Sequence, residues 1–176
     1  GFGLLPGAPV CASARNTRGR RRGAGAMSIT IRQATEADLE DVLALYEGIE
    51  DSAQQVLSLE EARAMLAQFA RYPSYRLWVA CDVEQRGAVV GSYALLVMHN
   101  LAHRGAPSAI AEDVVVAPHR QGQGIGRQMM AHAVQQARAA GCYKLALSSN
   151  AKRTKAHAFY ESLGFAQHGL SFVIET

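Results

Sequence analysis

Val114-Val-Val-Ala-Pro-His-Arg-Gln121-Gly-Gln-Gly124-Ile-Gly126-Arg127 is the stretch on which the reading of this chain turns. Three valines close a strand, Pro118 stops it, and glycines at 122, 124 and 126 form a turn. A helix then begins, because the apolar residues Ile125, Met129, Met130, Ala133, Val134 and Ala137 recur every three or four positions. A strand, a glycine-rich turn and a helix N-terminus in succession make an anion site. Without side chains the backbone can approach closely, successive N–H groups share one concavity, and the helix end adds positive potential. The natural ligand of such a turn is a pyrophosphate.

Two other glycine signatures do not fit. A dinucleotide-binding turn needs Gly-x-Gly-x-x-Gly after the first strand and an acid about 20 residues on. Here the spacing is Gly-x-Gly-x-Gly, and Asn150 and Lys152 occupy the later region. A P-loop needs Gly-Lys-Ser/Thr, whereas Arg127 and Gln128 follow Gly126.

Outward from the turn, the pattern predicts strands at Ser28 to Arg32, Tyr75 to Cys81, Ala88 to Met98, Ile110 to Val116 and Tyr143 to Leu147, with one or two more in Phe165 to Glu175. It predicts helices after Thr35, through Leu39, Val42, Leu45 and Ile49; from about Ser58 to before Pro73; over Gly122 to Ala140; and over Lys152 to Leu163. Thr35 and Ser58 read as N-caps followed by acids in the first turn. The order βααβββαβαβ is a mixed α/β fold without an internal repeat, its first half antiparallel.

Length and charge bound the function. The 176 residues are 49% hydrophobic and 19% charged, which suits one globular domain. The net charge of +3 hides an asymmetry. Arg15, Arg18, Arg20, Arg21 and Arg22 stand in residues 1–26 without one acid, so the rest of the chain carries thirteen basic residues against fifteen acidic. Residues 1–26 lack apolar periodicity and are expected to be disordered, with Met27 as the natural start and 28–176 as the folded domain. The longest nearly apolar run, Ala88 to Met98, has 11 residues, far from the roughly 20 of a membrane helix. No membrane partner is expected. An export signal is equally out of place, since the basic residues follow the apolar stretch and Pro6 and Pro9 break it. Cys11, Cys81 and Cys142 form no paired motif, which fits a cytoplasmic protein without a disulfide framework.

Gln121-x-x-Gly124-x-Gly126 preceded by Val-x-Pro resembles the acetyl-CoA signature of the GNAT N-acetyltransferase family. Downstream, Asn150 and Ala156-His-Ala-Phe159-Tyr160-Glu-Ser-Leu-Gly164-Phe165 are similar to that family's second signature. The element order matches from about residue 28 to 176. The resemblance implies the GNAT fold, a central, mostly antiparallel twisted sheet of six to seven strands flanked by four helices. It implies acetyl-CoA as the acetyl donor, held along Val114, Val115 and Val116 and at Gln121, Gly122, Gln123, Gly124, Ile125, Gly126 and Arg127. It also implies transfer to an amine in a ternary complex, with Asn150 and Tyr160 facing the coenzyme and a homodimer built through the C-terminal strands.

Acetyl transfer from a thioester needs a neutral amine, a polarised carbonyl, a protonated leaving thiolate and close placement. The resemblance makes Tyr160 the general acid; otherwise it is a helix tyrosine packed on the last strand. Glu112 and Asp113 are both candidates for the base. Alternation lets only one of them face the acceptor, and Glu112 is expected to share a face with Val114 and Val116; if neither faces it, the amine loses its proton to water. Backbone N–H groups of Val114 to Val116 would hold the acetyl oxygen. Arg127, Lys152, Arg153 and Lys155 read equally as phosphate contacts, contacts to an anionic acceptor, or solvated helix faces. Cys142 reads as an inert small hydrophobe. His99 and His103 are not spaced as metal ligands off a helix, so no metal is expected. His157 and His168 could line the acceptor pocket.

Glu112 to Val116 and Gly141 to Lys144 are similar to glucosamine-6-phosphate N-acetyltransferases. Leu147 to Arg153 and Ala156 to Tyr160 are similar to aminoalkylphosphonate N-acetyltransferases. The acceptor implied is a small primary amine bearing an anionic group, met by Lys152 or Arg153. The other functions left open are a protein-lysine acetyltransferase, a coenzyme A binding module without turnover, and a nucleic-acid binder using the arginine-rich segment. The slightly acidic body speaks against the last.

Overall fold

The computed structural model describes residues 28–47 and 56–174. The extension expected to be disordered, and the first helix as far as Ile49, extend beyond them. Five strands form one sheet in chain order: β1 (Ile29–Gln33), β2 (Tyr75–Asp82), β3 (Ala88–Met98), β4 (Ser108–Val116) and β5 (Lys144–Ala146). Neighbours run antiparallel except β4 and β5, which are parallel. The helices are α1 (Leu39–Glu47), α2 (Leu59–Phe69), α3 (Ile125–Ala139) and α4 (Thr154–Ser162). No helix among the described residues is long and apolar enough to cross a membrane.

Local chemistry sets the helix ends. Ser58 Oγ accepts from Glu61 N–H at 3.3 Å while Glu61 accepts from Ser58 N–H at 2.8 Å, the reciprocal cap its sequence predicts. At the start of α1, Asp38 accepts from Thr35 N–H at 2.7 Å and from both Nη atoms of Arg32 at 2.6 and 2.8 Å. α3 begins at Ile125 rather than Gly122, because Gly122 (φ 74°) and Gly124 (φ 82°) are left-handed and belong to the turn. α4 begins at Thr154 rather than Lys152, since Lys152 N–H is drawn to Asn150 Oδ1 at 2.9 Å in a turn of its own.

Two apolar clusters sandwich the sheet. On one face Leu77, Val79 and Cys81 of β2 pack with Val42, Leu66 and Phe69 of α1 and α2. On the other, Ala80, Tyr93, Leu95, Ala109 and Ala111 pack with Ile125, Met129, Met130, Ala133 and Ala137, the apolar stripe of α3.

The sheet has five strands among the described residues, not six to seven. After Gly164 (φ 88°) the chain from Ala166 to Ile174 pairs with no strand. β5 is only three residues long and offers too short an edge to template another strand. Leu170, Phe172, Val173 and Ile174 are consequently 85–93% exposed.

Candidate active site

β4 pairs with β5 only over Ser108–Ile110 and Lys144–Ala146. Beyond Ile110 the two strands part, and the outer edge of β4 from Ala111 to Val116 lies open toward the chain that leads from β5 into α4. A bulge reshapes this edge. Ala94 faces Glu112 and Ser92 faces Val115, so Tyr93 is opposite two residues, and Asp113 takes a left-handed φ of 51°. Such a conformation is uncommon for an aspartate and costs backbone energy of order 1–3 kcal/mol.

The bulge overturns the expectation that Glu112 shares a face with Val114 and Val116. Glu112 lies opposite Ala94, itself opposite Leu77, on the α1–α2 face of the sheet. Val114 and Val116 pack into the cluster under α3. One inserted residue reverses the alternation on which that expectation rests. Ala117 N–H donates to Val90 O at 2.9 Å, so alternation along the strand turns the N–H groups of Val116 and Val114 toward the open edge.

At the end of β4 the glycine turn is braced by its own side chains. Gln121 Nε2 donates to Val116 O at 3.2 Å and Gln123 Nε2 to His119 O at 3.3 Å. Arg120 donates from Nε to Gln123 Oε1 at 3.0 Å and from Nη2 to Asp82 Oδ2 at 2.7 Å. Arg120 and Asp82 are 6% and 2% exposed, so the turn is tied to the end of β2 by a buried ion pair that holds the Asp82 carboxyl below the usual range. Sequence reasoning passed over Arg120. Its one signal is an acid, Asp82, closing the apolar run Leu77 to Cys81. Ile125 is buried and can offer a ligand only its backbone, while Arg127 is exposed on the first turn of α3. The first N–H groups of α3 have no intrahelical acceptor and are available to an anion. Gly126 also serves packing: a Cβ there would lie 3.1 Å from Phe159 Cζ of α4.

Tyr160 on α4 packs against Phe159 and Phe165, with ring centroids 5.2 and 5.8 Å away, and joins the cluster that holds Val114 and Val116. Burial raises its phenol, and Arg153, one α4 face and two turns earlier, pulls the other way. The phenol is a neutral donor at pH 7. Tyr160 and Glu112 therefore belong to opposite faces of the sheet. Glu112 and Asp113 are exposed, and both carboxylates push the Tyr75 phenol up in addition to its burial. Tyr46 of α1 is pushed up to about 12 by burial, with the Ser92 hydroxyl lowering it and Asp113 raising it. Tyr46, Tyr75 and Ser92 thus come together near Asp113 on the α1–α2 side of the sheet. Nothing local in the sequence marks them, since they come from three separate elements.

Asn150 has its side-chain oxygen on Lys152 N–H, and its carbonyl accepts from Arg153 N–H and meets His157 Nε2, each at 2.9 Å. His157 thus braces the loop before α4. His168 is exposed on the chain beyond Gly164, and Lys152, Arg153 and Lys155 are exposed around the start of α4. Burial raises the Cys142 thiol, which makes it a poor nucleophile. His103 stacks on Tyr143 at 3.9 Å. Among the described residues no group of three His, Cys, Asp or Glu could hold a metal ion.

The sequence pattern of the acetyltransferase (GNAT) family matches residues 39–165. The chain belongs to that family and is an acetyl-CoA-dependent acyltransferase. It is 31% identical over 142 residues, 81% of its length and 92% of the relative's, to glucosamine 6-phosphate N-acetyltransferase of Trypanosoma brucei brucei. It is 34% identical over 142 residues, 81% of its length and 88% of the relative's, to aminoalkylphosphonate N-acetyltransferase of Salmonella typhimurium. The crystal structure of a Trypanosoma brucei acetyltransferase superposes with a TM-score of 0.73 at 28% identity, covering 85% of this chain and all of that one.

Proposed function

We propose that this protein moves the acetyl group of acetyl-CoA onto the primary amine of a small molecule by direct attack in a ternary complex. The parting of β4 from β5 carries the reading. It leaves the N–H groups of Val114 and Val116 on an open edge, with Glu112 on one face of the sheet and Tyr160 on the other. Glu112, directly or through a water, takes the proton of the attacking amine as its lone pair forms the C–N bond; Asp113 is the neighbouring candidate. The N–H groups of Val114 to Val116 receive the carbonyl oxygen as it becomes an oxyanion. Tyr160 gives its proton to the sulfur as the C–S bond breaks. The products are the amide and the free thiol, and exchange with water then returns both side chains to their starting protonation.

The coenzyme pyrophosphate fits the turn Gln121 to Arg127, where left-handed glycines and the first N–H groups of α3 converge. Asn150 offers its amide to the pantetheine arm. The acceptor class follows from the two relatives, whose names join a primary amine to an anionic phosphorus group. Lys152 and Arg153 stand for that group at the entrance to α4, Arg153 near enough to bear on the Tyr160 phenol. The working unit is a homodimer, for which the exposed apolar side chains of Leu170, Phe172, Val173 and Ile174 are available.

A free-thiol release assay across an amine library tests the proposal. Phosphonate and phosphosugar amines are expected to react faster than polyamines and aminoglycosides. Equal rates would remove the anionic acceptor, and no thiol release with any amine would remove the transferase reading.

A further inference from the structure

We infer that the end of the sheet away from the transfer cleft holds a second binding site, for a small organic anion: a carboxylate or phosphate on an apolar body. The site is a cavity of about 350 Å³ between the start of β2, the end of β3 and the last turns of α3. That volume lies at the lower end of the range for small-molecule pockets.

Strand alternation builds it. Leu77 and Val79 turn to the α1–α2 face, so Arg76 and Trp78 turn to the α3 face, beside Leu95 and Val97 of β3. α3 covers the middle of that face and ends at Ala139, so these four side chains form an open floor, with Gln136 on one wall and His99 on another.

Three observations define the ligand. The Trp78 ring lines the cavity, and its indole N–H, buried and without a protein acceptor, meets a ligand there only through a shift of the ring. Its ring edge meets His132 at 4.6 Å, which holds the indole in place. Arg76 Nη1 donates to the carbonyls of Tyr72 and Tyr75 at 3.1 and 2.8 Å, fixing the guanidinium at the cavity and leaving its other N–H groups for an acceptor. The segments that border the cavity carry charge of one sign. Segments 71–77, 95–108 and 138–145 meet at this end of the sheet and carry Arg71, Arg76, Arg104, Arg138 and Lys144 with His99 and His103, but no carboxylate side chain. A cation is repelled there. An anion gains the field and the remaining N–H groups of Arg76, and Leu95, Val97 and the Trp78 ring supply an apolar floor for its body.

Trp78 is the chain's single tryptophan, so its emission reads this cavity directly. The full chain is titrated with inorganic phosphate, citrate and phenyl phosphate at constant ionic strength, with and without saturating coenzyme A. Phenyl phosphate is expected to give a saturable change in emission, at least tenfold tighter than inorganic phosphate and unaltered by coenzyme A. Arg76→Gln and Ala140→Phe, the second occluding the mouth from an exposed position, should each weaken it at least tenfold, with thermal unfolding verifying that both variants fold. A response no larger than that to chloride overturns the inference. So does a response abolished by coenzyme A, which would assign the anion to the glycine turn, or unchanged binding in both variants. The readout does not use acetyl transfer, so failure of the transferase reading leaves it intact.

Discussion

Tyr93 Oη and His132 Nδ1 share a hydrogen bond of 2.6 Å, joining the residue opposite the β4 bulge to the middle of α3. β3, the neighbour of β4 in the sheet, and α3 are thereby held in one register. Tyr93 is fully buried, so removing its hydroxyl leaves a ring nitrogen of His132 without its partner. Tyr93→Phe is expected to lower stability by about 1–2 kcal/mol in urea unfolding.

The same pair gives stability a pH dependence near neutrality. Burial holds His132 below the ordinary imidazole range, so the unfolded chain takes up its proton at a higher pH than the folded one. The contribution is fully present above the unfolded value near 6.5 and is lost as pH falls below it. The urea midpoint of the wild type should decline from pH 7 toward pH 5, and His132→Gln should flatten that part of the profile. An identical decline in the variant would assign the effect elsewhere.

Tyr160→Phe preserves the packing against Phe159 and Phe165 and removes only the hydroxyl proposed as the proton donor. The turnover rate should fall about 10²–10⁴-fold, with little change in the KM for acetyl-CoA. Because burial keeps the phenol raised, the wild-type rate should not decline with pH before the ordinary phenol range is reached.

Two glycines of the turn should fail in different ways. Gly124→Ala meets no atom within 4 Å but forces an L residue to a φ of 82°, a cost of roughly 1–2 kcal/mol. It should raise the KM for acetyl-CoA. Gly126→Ala drives a methyl group to 3.1 Å from Phe159 Cζ, displacing the neighbour of Tyr160, and should lower kcat more than it raises KM. Steady-state kinetics of the two variants separate the effects.

Arg120→Met leaves Asp82 buried without its cation and frees the turn from β2. A lower melting temperature and a raised KM for acetyl-CoA are expected together. Calorimetry with and without coenzyme A should then show the ligand restoring part of the lost stability.

At the other side of the sheet Arg32 holds the Asp38 carboxyl down to about 2, with help from Thr35. Such a group stabilises the fold above the unfolded value near 4 and ceases to as pH falls toward 2. Arg32 is partly solvated, so the contribution is about 1–2 kcal/mol after screening. Asp38→Asn should cost that amount at pH 7 and nothing at pH 2 in acid unfolding.

The sequence by itself determined what depends on neighbours along the chain. The glycine turn, the apolar stripe of α3, the caps at Thr35 and Ser58, and the Asn150 and Tyr160 segment all have their causes within a few residues, where backbone conformation and helical period act. What only the tertiary structure decided depends on partners far apart or on one irregularity. Alternation placed Glu112 beside Val114, but the bulge at Asp113 set them on opposite faces, because a single extra residue inverts a period of two. Arg120 became the anchor of the turn only when the sheet brought Asp82 to it from 38 positions away. Tyr46, Tyr75 and Ser92 come near Asp113 because α1, β2 and β3 converge there. Residues 165–174 carry apolar residues suited to a strand, yet within the described chain β5 gives them no edge to pair with. Propensity proposes a strand, and only a hydrogen-bonding partner makes one.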